Sequence, residues 1–193
     1  MIKQVTVFCA SSRKVPQYYF KATEEVAEIL AINDITAVYG GGAVGLMGRL
    51  ADTILKKNGK IKGIIPSFMM DVEWGHPEIE DLMIVKDMHE RKKELIHKTD
   101  AVLVLPGGTG TLEEALEVIT LKRLGLFTKP IIFLNTNNFY KPMVDFFNTM
   151  VRENFIREEH QKMWSVIDKP SQLLEAIKTA PGWDEDKINQ AAV

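Results

Sequence analysis

Short apolar runs rich in β-branched residues recur along the chain: Val5-Thr6-Val7-Phe8, Ile35-Thr36-Ala37-Val38-Tyr39, Ile61 to Ile65, Ala101 to Leu105 and Pro130 to Leu134. Most are apolar at successive positions, the pattern of strands buried on both faces. Between them the spacing changes to three and four: Val26, Ala27, Leu30 and Ala31 repeat as on a helix, and so do Leu46, Leu50, Thr53 and Ile54. Met83-Ile84-Val85 adds a further short strand. Asp87 to Lys98 reads as a helix, a second begins at about Leu112, and Pro170 to Ala180 closes the pattern with Leu173, Leu174 and Ile177 as its stripe. Strands alternating with helices predict an α/β fold: a doubly wound, Rossmann-like parallel sheet with helices on both faces. No repeat, low-complexity segment or linker interrupts residues 1–180, which read as a single domain. Residues 181–193 are polar, contain Gly182 and three acidic residues, and read as a loosely attached tail.

Composition narrows the function classes. The chain has 193 residues, with 24 Lys and Arg against 26 Asp and Glu, a formal net charge of −2. A near-neutral chain without blocks of like charge does not offer the broad basic surface of a nucleic-acid binder. No stretch approaches the ~20 apolar residues of a membrane span. The longest uncharged run, Ile35 to Gly48, contains five glycines. The N-terminus, Met1 to Val7, reads as a strand and not as a signal peptide. Cys9 is the only cysteine, and the four histidines (His76, His89, His97, His160) show no metal spacing. The expectation is a cytoplasmic protein of a reducing compartment, with no metal and no cofactor.

In doubly wound folds ligands bind beyond the carboxyl ends of the strands. There the chain carries Cys9-Ala10-Ser11-Ser12, a glycine loop from Gly40 to Gly48, Pro66-Ser67, and a second glycine loop from Pro106 to Thr111. Gly40, Gly42 and Gly45 satisfy G-x-G-x-x-G. A dinucleotide site further needs a carboxylate about 20 residues on, at the end of the next strand. That strand ends Gly63-Ile64-Ile65-Pro66. Two readings remain, a tight turn with close helix packing or a backbone wall of a nucleotide pocket.

The second loop, Pro106-Gly107-Gly108-Thr109-Gly110-Thr111, leads from a strand into a helix, where inward-turned N–H groups and the helix dipole favour a phosphate. No Gly-Lys-Ser/Thr follows, so it is not an ATPase P-loop, and a monophosphate without metal fits better. Thr111 and Glu114 have capping-box spacing. Alternatively Glu114, followed by Val118 and Leu121 on an apolar flank beside a core face of Leu112, Ala115, Leu116 and Ile119, borders the anion site with a perturbed pKa. Glu113 continues to Glu117 on the solvated side. On the preceding helix Arg91 lies between Met88 and Leu95, so it either pairs with Asp87 one turn back or points into the pocket at an anion or leaving group. Lys92 falls on the same side. Cys9 reads as a small buried hydrophobe, Met69, Met70, Met83 and Met88 as adaptable packing, and Phe133, Phe139, Phe146 and Phe147 as core and interface.

Met88-His89-Glu90-Arg91-Lys92 together with Asp100 to Glu114, whose core is Pro106-Gly107-Gly108-Thr109-Gly110-Thr111-Leu112-Glu113-Glu114, resembles the LONELY GUY family of cytokinin riboside 5′-monophosphate phosphoribohydrolases. Phe8 to Ser12, Gly40 to Gly48 and Glu117-Val118-Ile119-Thr120 share the likeness. Members of that family were long labelled lysine decarboxylases, a chemistry for which this chain shows no pyridoxal-phosphate lysine context. The resemblance implies that Arg91 and Glu114 are the catalytic pair and that Gly107, Gly108, Thr109, Gly110 and Thr111 hold the 5′-phosphate. It further implies that Glu73, Lys92, Thr120, Ser11, Gly41 and Gly42 line the substrate site. Thr109 stands where the family commonly has tyrosine. The implied ligand is AMP or a cytokinin riboside monophosphate, the implied assembly a homodimer with sites built from both subunits. The rival reading is a carrier that binds a nucleotide or nucleotide-like cofactor without cleaving it.

Overall fold

The computed structural model describes residues 1–70 and 75–183. Its strands are β1 (Gln4–Phe8), β2 (Thr36–Tyr39), β3 (Ile61–Pro66), β4 (Leu82–Val85), β5 (Ala101–Val104), β6 (Ile131–Leu134) and β7 (Ser165–Ile167). They form one sheet in the order β4-β3-β2-β1-β5-β6-β7, with every neighbouring pair parallel. The helices are α1 (Gln17–Ile32), α2 (Gly45–Lys56), the single turn α3 (Ser67–Met70), α4 (Met88–Ile96), α5 (Thr109–Arg123), α6 (Lys141–Arg152) and α7 (Leu173–Thr179). This is the doubly wound, Rossmann-like α/β domain that the alternation predicts.

The unbroken apolar strands explain why both faces need covering. Along β5, Ala101 and Leu103 point into a core with α1, α2 and α7, while Val102 and Val104 point into a second core with α4, α5 and α6. Alternating residues of β1 divide in the same way: Val5 and Val7 to the first, Phe8 to the second. The chain winds outward from β1 to β4, then returns to the other side of β1 as β5. The reversal opens a crevice above the carboxyl ends of β1 and β5, the position where such folds bind ligands.

The structure corrects several local readings. Helix α5 starts at Thr109, with Gly108 as N-cap, instead of near Leu112. Leu116 is 44% exposed and not part of the core face, which is formed by Ala115, Val118 and Ile119. Strand β7 had no sequence signal, because three residues with a polar Ser165 are too short to show a period. Phe133 and Phe147 are buried, but Phe139 and Phe146 are exposed. Residues 184–193 of the expected tail lie outside the described residues. Trp183, near its start, donates from Nε1 to the Lys122 carbonyl at 2.6 Å.

Lys122 is 1% exposed at the end of α5, and its amine donates to the Lys129 carbonyl at 2.7 Å. Burial pushes its pKa down from 10.5 to about 8. The folded state therefore holds fewer protons than the unfolded chain between these values, so stability rises with pH across that window, and below pH 8 the fold bears the full cost of the buried ammonium. Each tenfold step in ionisation is about 1.4 kcal/mol, and the hydrogen bond offsets part of it. Lys122→Met should stabilise the protein by about 1–2 kcal/mol at pH 7, with the advantage shrinking towards pH 10. Urea unfolding at the two pH values checks this, and a destabilised variant at pH 7 would contradict it.

Candidate active site

Two features of the sequence converge on the crevice. Asp87 ends the turn before α4 in an extended conformation and caps the helix, its carboxylate accepting the Glu90 N–H at 2.9 Å. That settles the Asp87–Arg91 alternative, since Asp87 serves the cap. Arg91, one turn later, is 8% exposed. Its Nε donates to the Ile64 carbonyl of β3 at 3.2 Å, and Nη1 lies 3.1 Å from Glu114 Oε1.

Glu114 arrives from α5. Because the N-cap is Gly108, Thr111 is the third residue of the helix and Glu114 lies beyond the first turn, so the capping-box alternative fails. Glu114 is 9% exposed. Burial raises its pKa above the ordinary 4.5, and Arg91 opposes that rise. Phe8 and Glu114 also border a second cavity of about 230 Å³ between α4 and α5, with Leu95, Val118 and Leu121, which is the expected apolar flank.

The crevice itself has a volume of about 340 Å³. Its lining includes Ser11 and Ser12 after β1, Gly40 after β2, Met47, Met69, Arg91, Glu114, and Gly108, Thr109, Gly110 and Thr111. The N–H groups of the first turn of α5 have no intrahelical acceptors and no side-chain cap. With the helix dipole they make an anion site of about half a unit of positive charge. The glycines divide by role. A Cβ on Gly108 or Gly110 would meet nothing within 4 Å, so these two leave room for a ligand. A Cβ on Gly107 would run into the Thr111 side chain, and one on Gly40 into the Arg91 guanidinium. Gly45, at φ +64°, lies hard against the Ser11 backbone. The first glycine loop thus serves packing, since it seats Arg91 and lets α2 approach β1, and through Gly40 it also lines the crevice.

Other candidates lie elsewhere. Gly41 and Gly42 do not line the crevice; Gly41 backs onto Ile65 and Leu82, and Gly42 bridges to Gly75. Gly107 is not among the lining residues and lies against the Thr111 side chain. Lys92 does not line the crevice; its side chain, 17% exposed, borders the neighbouring α4–α5 cavity with Glu114 and pairs with Glu113 at 2.7 Å and Glu117 at 2.6 Å. Glu113 is exposed, as its spacing suggested, and also serves as an ion-pair partner of Lys92. Thr120 is exposed and donates to the Leu116 carbonyl at 2.9 Å. Both Lys92 and Thr120 line an open groove on the outer face of α5 with Leu112 and Leu116. Glu73 lies outside the described residues. Sequence reasoning missed Met47 and Met69 as lining residues, since methionine at helical spacing looks the same in a core. Cys9 lines the crevice as a buried thiol whose pKa burial pushes up, as expected of a small hydrophobe.

A family model described as "Possible lysine decarboxylase" matches residues 47–177. Among the described residues no lysine lines the crevice to give that description a nucleophile. Among curated proteins, a "Probable cytokinin riboside 5'-monophosphate phosphoribohydrolase" of Oryza sativa subsp. japonica is 37% identical over 91% of this chain and 72% of its own length. A cytokinin riboside 5'-monophosphate phosphoribohydrolase of Arabidopsis thaliana is 35% identical over 91% of this chain and 77% of its own. Among solved structures, the molybdenum cofactor binding protein of Rippkaea orientalis superposes with a TM-score of 0.69 at 19% identity, covering 93% of this chain and 97% of its own. That likeness concerns the fold alone. With sequence kinship across nine-tenths of its length and the Arg91–Glu114 pair set beside the glycine cradle, the chain belongs to the LONELY GUY family of phosphoribohydrolases.

Proposed function

We propose that this protein hydrolyses the N-glycosidic bond of adenosine-type nucleoside 5′-monophosphates, releasing the free base and ribose 5-phosphate. The observation that carries the reading is the buried Arg91–Glu114 pair in the wall of a crevice floored by an uncapped helix N-terminus. A carrier needs the cradle but no carboxylate beside the scissile bond, so this pair favours the enzyme.

In the reaction water attacks C1′ while the bond from C1′ to the base nitrogen breaks, the electron pair leaving with the base; the proton that water loses passes to Glu114 or to solvent, and the base nitrogen takes one from solvent. The transition state carries positive charge on the sugar, as in glycoside hydrolysis. A carboxylate within the crevice stabilises that charge more than it stabilises the neutral sugar of the substrate. Glu114 supplies it, either directly or by holding the attacking water. Arg91 stabilises the negative charge growing on the base through hydrogen bonds and not by proton transfer, since a guanidinium retains its protons. Gly108 and Gly110 give the phosphate access to the N–H groups of α5, which fixes the sugar relative to Glu114.

Free base released from AMP and from isopentenyladenosine monophosphate, followed by chromatography without added metal, tests the reading and ranks the substrates. Adenosine should be cleaved with kcat/KM lower by on the order of 100-fold or more, because remote phosphate binding contributes to orientation. Equal rates for nucleoside and nucleotide would contradict the cradle. Tight nucleotide binding with no base release would favour the carrier. The same reading assigns Lys92 and Thr120, which do not line their own crevice, to the site of a second copy in a homodimer. A dimeric native mass is the expected result, and an active monomer would remove both from the site.

A further inference from the structure

The seat of Arg91 has an outer brace. Gly40 lies against the guanidinium, and the next two residues have no side chains with which to hold their own position. Gly41 adopts φ +76°, and its carbonyl accepts the backbone N–H of His76 at 2.9 Å. Gly42 bridges in antiparallel fashion to Gly75. The loop is therefore placed by its backbone partners at 75 and 76.

The His76 side chain anchors those partners in turn. It is 5% exposed. Its Nδ1 accepts the Glu78 N–H at 3.3 Å, and an amide N–H can only donate, so the ring proton resides on Nε2. Nε2 faces Asp52 Oδ1, on α2, at 3.0 Å. One imidazole thus ties the turn that starts at His76 to α2, while its own backbone holds the glycine loop.

We propose that His76 is a positioning residue for the reaction: through Gly41 it holds the glycine loop against the Arg91 guanidinium and so keeps that guanidinium in register with Glu114. The proposal rests on the hydrolase reading, but the placement of Arg91 can be measured without turnover. The phosphate cradle is built by β5 and α5 and does not depend on the brace. Loosening the brace therefore affects the chemical step more than binding.

The test uses His76→Ala, His76→Gln and Asp52→Ala in the full chain. Displacing a catalytic group by a fraction of an ångström costs about tenfold in turnover. His76→Ala should lower kcat for AMP by about tenfold and change KM by less than about threefold, whereas a general loosening would move both. His76→Gln, whose amide can still donate to Asp52, should recover most of the loss. The Nε–H resonance of Arg91, hydrogen-bonded to Ile64 and shielded from solvent, should be visible in the wild type and broadened in His76→Ala. Asp52, 65% exposed, can be truncated without opening the core, and Asp52→Ala should reproduce the His76→Ala effects in weaker form. An unchanged kcat, a matching rise in KM, or an unaltered Arg91 resonance in both alanine variants overturns the proposal. If the wild type releases no base, the hydrolase reading fails on its own account and the resonance alone decides the brace.

Discussion

Glu114→Gln is expected to lower kcat on AMP by on the order of 100-fold or more while KM stays within a few-fold, the scale of lost general-base or electrostatic catalysis. The substitution keeps the side-chain volume and an oxygen that can still accept from Arg91 Nη1, so the crevice retains its shape. What it removes is the negative charge. The pH dependence gives the charge a second signature. Burial holds the Glu114 pKa above 4.5 despite Arg91, so the carboxylate forms only as the pH rises through that raised value. Activity that needs the carboxylate then rises with pH along an acid limb displaced above the ordinary Glu range, and the Gln variant should lack that limb. Near-normal turnover in Glu114→Gln would remove Glu114 from the chemistry.

The fold was legible because its signal is repeated. Continuous apolar strands separated by helically spaced segments can be satisfied only by a parallel sheet covered twice, and each strand repeats the message. Strand β7 and the single turn α3 escaped because neither is long enough to show a period, whereas the twelve residues of α6 went unread although they are long enough to carry one. The site was legible where chemistry and pattern disagree. An arginine inside an apolar stripe and a carboxylate on an apolar flank are costly unless they meet, and they do meet at 3.1 Å. Lys92 obeys no such constraint. As the immediate neighbour of Arg91 it points about 100° away around the helix, towards Glu113 and Glu117, and motif position alone does not reveal that turn. The glycines show the same limit. Spacing announced two glycine-rich loops, but which glycines leave room for a ligand and which for a neighbouring side chain depends on tertiary approach.

That division of the glycines gives the second large expected effect. Gly40→Ala places a methyl group where the Arg91 guanidinium lies, and the guanidinium is itself held by Ile64 and Glu114. Either the loop or Arg91 must move. The loop is tied at Gly41 and Gly42 by His76 and Gly75, so the flexible side chain is the part that yields. Turnover on AMP should fall by about 100-fold, since a displacement near 1 Å in a catalytic group costs that much. Gly108→Ala is the informative control, because its new Cβ meets no protein atom within 4 Å and the fold should be unaffected. There the methyl occupies the entrance to the α5 N–H groups, so KM for AMP should rise while discrimination against adenosine weakens. The two alanines thus separate the chemistry from the cradle: Gly40→Ala acts chiefly on kcat, Gly108→Ala chiefly on KM. A Gly40→Ala enzyme with normal kcat would mean that Arg91 can act from another position, and its contact with Glu114 would then lose its claim to be the working geometry.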